Sequence, residues 1–390
     1  MYDVIVIGAG PAGAMAAAQA ARNGVPTLLI EKRQEIGSPV RCAEGVGKEG
    51  LLKTGISIDR RWIANESRGA RIIAPDTTTV ELSSEHAGNE VGYVLERKMF
   101  DRHLVYEAAR AGSDLMVKSS VIDVLRKGNR INGVVVSSMG KRIEIEGRVL
   151  IACDGAESQI ARFAGINTKL KLKDMESCIQ YLMVNVDYDP DFTRFYVGSC
   201  YSPGGYVWIF PKGDGVANVG IGVLGSKIGK KKGYAKELLD SFISRQEKLK
   251  NARIVEYVAG TVPAAMPLEK TWTDGLLIAG DAARFTDPIT GGGIINAMMS
   301  GKMAGEVSSQ NVKAGMKLSE YERKWKRELE SALLRDYIVK ERLVNMSDET
   351  LNLIADSLKD YEFPDLGMNS FIDAINEKHP ELMKELIDLI

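Results

Sequence analysis

Glycines and one acidic residue near the N-terminus form the pattern with the clearest chemical meaning. Gly8, Gly10 and Gly13 lie between a short apolar run and a stretch rich in helix formers. In a strand–turn–helix unit these glycines permit the turn, admit a pyrophosphate to the backbone and let the helix pack on the strand, while free N–H groups at the helix start attract phosphates. Glu31 closes a second apolar run, where an acidic residue suits a ribose hydroxyl pair. The pattern predicts a bound dinucleotide.

A second glycine-rich motif, residues 275–301, narrows the choice of cofactor. A predicted strand runs into Gly280 and Asp281, and the glycine turn Gly291–Gly293 opens another helix. Together the two motifs resemble the FAD-dependent reductase and hydroxylase superfamily. That resemblance implies that Asp281 binds the ribityl chain and that the helix beginning at Ile294 faces the flavin N1–C2=O edge. A helix dipole there stabilises the anionic reduced ring.

The loop of residues 36–47 is expected to lie against the flavin ring, because it follows the ribose-binding strand directly. Its sequence, IGSPVRCAEGVG, is too rich in glycine and proline for regular structure. Superfamily members bring this position near the isoalloxazine, so Cys42 is a candidate for a catalytic or gating role; a surface loop with a buried cysteine is the plainer alternative. The superfamily also implies that Arg97, at a predicted helix start, contacts FAD. The further cofactor residues expected are Ala12, Lys32, Arg41, Cys42, Ala43, Gly45, Val121, Asp154, Pro288 and Gly292.

Tyr206, Trp208 and Phe210 alternate along a predicted strand and therefore share one face. One interpretation is an ordinary packed core face. The other is the wall of an apolar channel for a long hydrophobic substrate, since aromatic rings bury hydrocarbon well and Tyr and Trp also orient polar groups. After Cys42, Tyr206 is a second and weaker candidate for a catalytic acid.

The order of motifs along the chain resembles that of the geranylgeranyl reductase family. GAGPAG, EKRQEIGSPVRCAEG, GYVLER, CDGAES, PGGYVWIFPKG and GDAARFTDPITGGGI follow one another as expected over at least residues 2–301. VRCAEG and YVWIFP are the more specific pair, because the glycine motifs specify only FAD. Arg162 lies one residue later than its counterpart in typical aromatic hydroxylases, which separates the chain from them at that point.

The resemblance implies an FAD-dependent oxidoreductase acting on CH–CH groups. Its expected substrates are the isolated double bonds of geranylgeranyl chains in digeranylgeranylglycerophospholipids, during archaeal membrane lipid biosynthesis. Such alkenes have no conjugated carbonyl, so their reduction needs a proton as well as a hydride. A flavin monooxygenase or halogenase acting on a hydrophobic substrate is the alternative enzyme, although no lysine motif accompanies the WxWxIP-like segment YVWIFP. A non-catalytic, flavin-bound prenyl lipid carrier is the third alternative. The electron donor, ferredoxin or a nicotinamide, stays open.

The predicted fold is α/β, a Rossmann-like FAD-binding domain with an inserted antiparallel β-sheet substrate domain and a C-terminal helical region. We expect the FAD domain to comprise residues 1–62, 93–165 and 260–310, the substrate sheet 63–92 and 166–259, and the helical region 311–390. Strands at 120–125, 133–137 and 141–145 should form a meander that crosses over to a further strand at 149–153. The second GxGxxG, at Gly220–Gly225, precedes a basic loop rather than a helix and therefore does not predict a nicotinamide site.

The C-terminal part is predicted to be helical, over residues 321–343, 348–358, 369–375 and 380–390. The last segment carries a broad apolar stripe, for which docking on the protein body is the default interpretation and membrane contact the alternative. The basic loop 227–232 is expected to be a solvated turn, with contact to lipid phosphates as the alternative.

Composition and residue spacing argue against a nucleic-acid-binding protein, a metal site, a redox disulfide and a membrane span. The 390 residues include 51 Lys and Arg against 52 Asp and Glu, so no net field recruits nucleic acid. The four cysteines and three histidines lack ligand spacing, and neither a metal site nor a redox disulfide is expected. No apolar run is long enough to span a bilayer, and the chain begins directly in a predicted strand. We therefore expect a cytoplasmic protein, at most peripheral to a membrane.

Overall fold

Short apolar strands and glycine turns alternate with helices along the chain. The computed structural model describes residues 2–83, 91–229, 231–361 and 368–383. The strands are β1 (Tyr2–Ile7), β2 (Thr27–Ile30), β3 (Gly45–Gly47), β4 (Ile63–Glu66), β5 (Gly69–Ile73), β6 (Thr79–Ser83), β7 (Gly92–Leu95), β8 (Asp114–Met116), β9 (Ser119–Lys127), β10 (Arg130–Ser138), β11 (Lys141–Ala152), β12 (Met175–Val184), β13 (Phe192–Val197), β14 (Tyr206–Gly213), β15 (Val216–Leu224), β16 (Arg253–Pro263), β17 (Trp272–Thr273) and β18 (Leu276–Ile278). The helices are α1 (Pro11–Arg22), α2 (Lys48–Lys53), α3 (Arg97–Arg110), α4 (Gln159–Phe163), α5 (Gly225–Ile228), α6 (Tyr234–Arg245), α7 (Ile294–Ala314), α8 (Ser319–Trp325), α9 (Ser331–Leu343), α10 (Asp348–Leu358) and α11 (Met368–Lys378).

The first sheet is mostly parallel and follows the path β17–β18–β11–β1–β2–β8. Every pair on this path is parallel except β17 with β18. The two N-terminal strands read YDVIVI and TLLI and are largely buried. Near-continuous apolar runs are typical of parallel strands that helices cover on both faces. The predicted α/β fold is confirmed.

Helices α1 and α7 pack on each other so closely that glycines are required between them. A side chain at Gly301 would overlap the carbonyl oxygen of Ala12, and one at Gly305 would overlap that of Ala16. Because the contacts advance in the same direction on both helices, α1 and α7 run parallel. Their N-termini therefore point toward the same end of the sheet.

Strand β11 corrects the predicted meander. The sequence suggests one strand at 141–145 and another at 149–153, whereas β11 is a single strand of 12 residues. Its first half pairs antiparallel with β10, and its second half pairs parallel with β1, from Gly147 onward. Gly147, in the gap between the two predicted strands, lies inside β11, and a Cβ at this position would come within 2.6 Å of the Ile5 side chain.

The second sheet has the order β16–β12–β15–β14–β13–β5–β6. It is antiparallel except for the parallel pair β13–β5, which the sequence analysis did not predict. Helix α6 covers one face, with Leu239 and Phe242 packed into the core beneath it. Of residues 63–92, which were expected in this sheet, β5 and β6 join it, but β4 belongs to a small separate sheet with β3 and β7.

The C-terminal region is helical where the structure describes it. A π-helical turn, Lys326–Glu330, joins α8 and α9 into one run, and α10 has the predicted bounds. Of the predicted terminal helix at 380–390, Pro380–Leu382 forms a 3-10 turn and residues 384–390 lie outside the described residues. The basic segment after β15 is not wholly a loop, because it begins with the single helical turn α5.

No helix within the described residues is both long enough and apolar enough to traverse a bilayer.

Candidate functional site

A cavity of about 1000 Å³ lies where the two sheets meet. Its walls come from the first glycine turn, the loop around Cys42, the start of α7 and one face of the second sheet. These segments are far apart in sequence. The cavity therefore joins the region predicted for a cofactor to the aromatic strand predicted for a substrate.

The glycine turn leaves room for a ligand at the start of α1. Gly8 has a φ of +99°, which disfavours other residues, and a Cβ there would overlap the carbonyl oxygen of Cys153. At Gly10, by contrast, no atom of the described residues other than its two chain neighbours lies within 4 Å of where a Cβ would be. Gly10 is also the N-cap of α1, and no side chain caps the helix. Unsatisfied N–H groups and open space coincide here, which suits a phosphate.

Glu31 projects into the same end of the cavity from the carboxyl end of β2. Its Oε2 accepts a hydrogen bond from the N–H of Ala9 at 2.9 Å, and its Oε1 accepts one from the N–H of Arg33 at 2.9 Å. Two backbone donors hold the carboxylate in place. A carboxylate has further acceptor capacity, which a pair of ribose hydroxyls can use.

Asp154 supplies an acceptor that the protein itself does not satisfy. Its Oδ2 accepts the N–H of Ile160 at 3.0 Å, but its Oδ1 is buried and has no hydrogen-bond partner among the described residues. Burial raises the pKa of this carboxyl, and backbone N–H groups oppose the effect. Buried polar atoms are nearly always paired, so an orphaned oxygen on a cavity wall fits a ligand that brings a donor.

Asp281 lines the cavity beside the start of α7. Its Oδ1 accepts a hydrogen bond from the Thr286 hydroxyl at 3.2 Å, and burial raises the pKa of its carboxyl. Gly293 is the N-cap of α7 and no side chain caps that helix either. An uncapped helix start on the cavity wall can stabilise negative charge on a ligand.

Cys42 faces the cavity from a loop that is held by hydrogen bonds. Its Sγ accepts the N–H of Glu44 at 3.2 Å, and its carbonyl oxygen accepts the side-chain N–H of Gln180 at 2.9 Å. Burial raises the pKa of the thiol, while the nearby charge of Arg97 lowers it. Because burial dominates, Cys42 is a neutral thiol at physiological pH.

Arg97 lines the cavity, and its guanidinium is paired with an acidic side chain of the same helix. Its guanidinium forms two hydrogen bonds to Asp101, with Nε–Oδ1 and Nη2–Oδ2 distances of 2.9 and 3.0 Å. Its backbone N–H donates to Glu44 at 2.8 Å. The start of α3 therefore also anchors the Cys42 loop.

The aromatic row occupies the cavity face of the second sheet. Tyr206, Trp208 and Phe210 all line the cavity, and they also pack together with Phe195 and Val94 in one apolar cluster. The structure thus combines the two interpretations of this row, a packed face and a cavity wall.

Polar bonds fix the orientation of two of these rings. The indole N–H of Trp208 donates to Gln180 Oε1 at 3.0 Å, and the hydroxyl of Tyr206 donates to the carbonyl oxygen of Thr290. A Cβ at Gly220 would overlap the Trp208 ring. The glycines of the second GxGxxG therefore make room for side chains of the cavity wall.

The structure brings most of the predicted site residues to this one cavity. Those on its wall are Gly8, Gly10, Glu31, Lys32, Arg41, Cys42, Ala43, Gly45, Arg97, Val121, Asp154, Asp281, Gly291, Gly292, Gly293, Ile294, Tyr206, Trp208 and Phe210. Ala12, Gly13, Gly280 and Pro288 do not line it. A side chain at Gly13 would overlap the carbonyl oxygen of Gly8, so that glycine is needed for packing of the turn.

The sequence analysis missed five cavity residues on β12, among them Glu176, Cys178 and Gln180. Alternation puts all three on one strand face. The signal that could have identified them is polar or soft side chains at every second position of an otherwise apolar strand. Glu44 was also not singled out, although it is a buried charge in the Cys42 loop.

Comparison with known proteins identifies the family. The family model of the geranylgeranyl reductase catalytic domain matches residues 174–262, and that of FAD dependent oxidoreductases matches residues 3–202. A digeranylgeranylglycerophospholipid reductase of Methanosarcina acetivorans is 46% identical to this chain over 99% of it and 95% of the relative. The chain belongs to the digeranylgeranylglycerophospholipid reductase family. It is an FAD-dependent oxidoreductase.

Members of the family in other archaea are similar over the same length. The digeranylgeranylglycerophospholipid reductase of Picrophilus torridus is 44% identical, with coverage of 100% of this chain and 99% of the relative. A crystal structure of a geranylgeranyl bacteriochlorophyll reductase-like protein from Thermoplasma acidophilum superposes with a TM-score of 0.92 at 43% identity, covering 100% of this chain and 99% of that one. A flavin-dependent brominase has a TM-score of 0.71 at 20% identity, over 97% and 99% of the two chains, and shares only the fold.

Proposed function

We propose that this protein saturates the isolated C=C bonds of geranylgeranyl chains in digeranylgeranylglycerophospholipids. The observation that carries this proposal is the continuity of the cavity: the aromatic wall of β14 and the segments expected to bind FAD line the same space. An apolar wall of this kind suits a hydrocarbon chain. The names of relatives that match the chain from end to end support the same substrate.

We infer that FAD lies along the first sheet with its reactive ring near Cys42. The open start of α1 would bind the pyrophosphate, and Glu31 would accept hydrogen bonds from a ribose. The unsatisfied Oδ1 of Asp154 would accept a hydrogen bond from another donor group of the cofactor. The uncapped start of α7 beside Asp281 would face the flavin ring. The predicted division of the chain into an FAD domain, a substrate sheet and a helical region is part of the same proposal.

When bound and reduced, FAD supplies a hydride to a double bond. Since an isolated alkene offers no carbonyl to stabilise charge, the protein has to exclude water, orient the chain and deliver a proton. Cys42 and Tyr206 are the proposed catalytic residues from sequence, and both line the cavity. The burial-raised pKa of the Cys42 thiol favours its gating role, and the hydroxyl proton of Tyr206 is engaged with Thr290.

Electron supply and membrane contact belong to the proposal as well. A ferredoxin or a nicotinamide nucleotide would reduce the flavin, and a lipid substrate implies that the enzyme works at the surface of a membrane. Titration of the oxidised enzyme with each donor under anaerobic conditions, followed by the loss of flavin absorbance, distinguishes the two donors.

An anaerobic assay tests the proposed reaction against its alternatives. The FAD-loaded protein is reduced with dithionite and mixed with a digeranylgeranylglycerophospholipid, and the lipid mass is then measured. We expect a gain of two hydrogens per bond. Product that forms only with oxygen would indicate a monooxygenase or halogenase, and unchanged lipid bound to the protein would indicate a carrier.

A further inference from the structure

Glu176 is a buried acid that the cofactor motifs and the aromatic strand leave without a function. It lies on β12, and its side chain shares the cavity face with Cys178 and Gln180. Only 7% of its surface is exposed, and no group among the described residues donates a hydrogen bond to its carboxylate. A buried carboxyl without a donor is costly to keep for packing alone.

Gly222 provides the space in which this carboxyl lies. A Cβ at position 222 would be 2.6 Å from Glu176 Oε2, so any other residue would displace the acid. Gly222 pairs with Cys178 on one side and with Tyr206 on the other. Neighbouring strands are about 4.8 Å apart. The carboxyl therefore lies about one strand spacing from the first aromatic residue of the wall.

The same end of the wall faces the segment expected to hold the flavin ring. The position of a Cβ on Gly291 is 3.9 Å from the Tyr206 hydroxyl and 3.5 Å from the side chain of Val262. Val262 is the direct partner of Glu176 in the sheet. Glu176 is thus placed between the aromatic wall and the glycine turn that opens α7.

The surroundings of Glu176 raise the pKa of its carboxyl into the neutral range, so a large share of the molecules carry the proton near pH 7. Burial raises the pKa of its carboxyl to about 7, and the charge of Lys340 on α9 opposes the rise. Lys340 is itself engaged by the carbonyl oxygens of Lys173 and Ala264 and by Glu341. Cys178, on the same strand face, has a thiol whose pKa burial also raises. A general acid is most effective when its pKa lies near the working pH, as it does for Glu176.

We infer that Glu176 supplies the proton consumed in the saturation of each double bond, an inference that rests on the proposed function. The π electron pair of the alkene forms a C–H bond to this proton at the less substituted carbon, and the O–H bond of the acid breaks. The tertiary carbon accepts the hydride from reduced FAD, the reductant, which is thereby oxidised by two electrons. The carboxylate then regains a proton from solvent before the next double bond is reduced.

The test compares Glu176→Gln with a matched control, Glu256→Gln. Both remove one carboxyl without a change of volume, but Glu256 is exposed on β16 and does not line the cavity. With FAD-loaded, dithionite-reduced enzyme and a digeranylgeranylglycerophospholipid, we expect Glu176→Gln to slow a single turnover about 10²-fold or more. The wild-type rate should fall as the pH rises through about 7, and the residual rate of Glu176→Gln should show no such fall. Glu256→Gln should match the wild type in both respects.

A second readout needs no turnover. In the infrared spectrum of the oxidised, FAD-loaded enzyme without lipid, a carboxylic acid carbonyl band should disappear as the pH rises through about 7. We expect this band in the wild type and in Glu256→Gln but not in Glu176→Gln. Absence of the band from the wild type, or wild-type rate and pH profile in Glu176→Gln, overturns the inference while the proposed function stands. If the wild type saturates no lipid, the proposed function fails, and the inference fails with it.

Discussion

Asn218 donates a hydrogen bond of 2.7 Å to the carboxylate of Glu44, a residue of the cavity wall. The same carboxylate is paired with Lys212, and the exposed fractions of the Glu44 and Lys212 side chains are only 4% and 6%. Glu44 also has a φ of +75°, a left-handed conformation that is strained for any residue with a Cβ. A buried ion pair between the two sheets thus holds the loop that carries Cys42 in its place.

Lys212→Met should destabilise the protein strongly, because it leaves the buried Glu44 carboxylate without its cation. Loss of one partner from a buried pair lowers the free energy of unfolding by about 3 to 5 kcal/mol. The double variant Glu44→Gln/Lys212→Met should lose less than the sum of the single variants, since no buried charge is then left unpaired and the other partner of Lys212, Glu96, is exposed. Urea unfolding of the four proteins measures this coupling.

The control for that cycle is Lys236→Met, whose ion pair with Asp240 is exposed. We expect it to leave the free energy of unfolding almost unchanged, because an exposed ion pair contributes little to stability. Strict additivity of the Glu44 and Lys212 variants would contradict the interpretation of the pair as a structural unit.

Local patterns in the sequence predict the cofactor half of this molecule well. The first two strands, the glycine turn and the bounds of α10 depend on residues that are close together in the chain. The continuity of β11 could not be predicted, because Gly147 reads as a break. A larger residue at that position would clash with the side chain of Ile5, which is more than a hundred residues away in the chain.

The acid in the cavity shows why the substrate half is harder to predict. The alternation along β12 marks a strand face but does not show what that face meets, because the surroundings of Glu176 depend on the register between β12 and β15. That register puts Gly222 beneath its carboxyl, and Gly222 belongs to a GxGxxG motif whose local context excludes phosphate binding. A glycine needed for space looks the same in sequence as one needed for a turn.

Asp281→Ala should weaken the retention of FAD without unfolding the protein. The change removes a buried acceptor for a ribityl hydroxyl, and a charge-assisted hydrogen bond is worth roughly 1.5 to 3 kcal/mol. Equilibrium dialysis of the apoprotein against FAD measures the loss. Asp360→Asn, an exposed site, is the control and should bind as the wild type does. Release of FMN rather than FAD on denaturation of the wild type would contradict the predicted cofactor site.

Gly220→Ala should push the Trp208 ring off its bond to Gln180, because a Cβ at that position overlaps the indole. Overpacking of this kind typically lowers stability by about 1 to 3 kcal/mol. The set of partly saturated lipid products should change as the wall moves. In the double variant Gly220→Ala/Trp208→Leu the added Cβ no longer overlaps an indole ring, so part of the lost stability should return. If none returns, Gly220 is needed for a reason other than the space it leaves for Trp208. Thermal unfolding and lipid mass spectra provide the two measurements.

Cys42→Ser should change which double bonds are reduced more than how fast the first one is. Burial raises the pKa of the Cys42 thiol, so it is a poor proton donor compared with a carboxylic acid. We expect less than about a tenfold fall in the single-turnover rate, unchanged FAD binding and a shifted mixture of partly saturated products. Cys200→Ser is the exposed control. A fall of about 10²-fold or more would make Cys42 the proton donor and would count against Glu176.

The free energy of unfolding of Glu176→Gln, compared with that of the wild type, should shift in favour of the variant as the pH is raised from 4 to 8. The unfolded Glu176 carboxyl loses its proton near its usual pKa of about 4.3, whereas the folded one keeps its proton up to about pH 7. Between these values the unfolded chain binds fewer protons, so the stability that the neutral acid contributes is lost as the pH rises toward 7. The loss is on the order of 3 kcal/mol. Because Gln does not titrate, the variant lacks this loss, and Glu256→Gln should retain it. Urea unfolding of the FAD-loaded proteins across this pH range measures the difference, and parallel curves for wild type and Glu176→Gln would show that the acid is ionised in the folded enzyme.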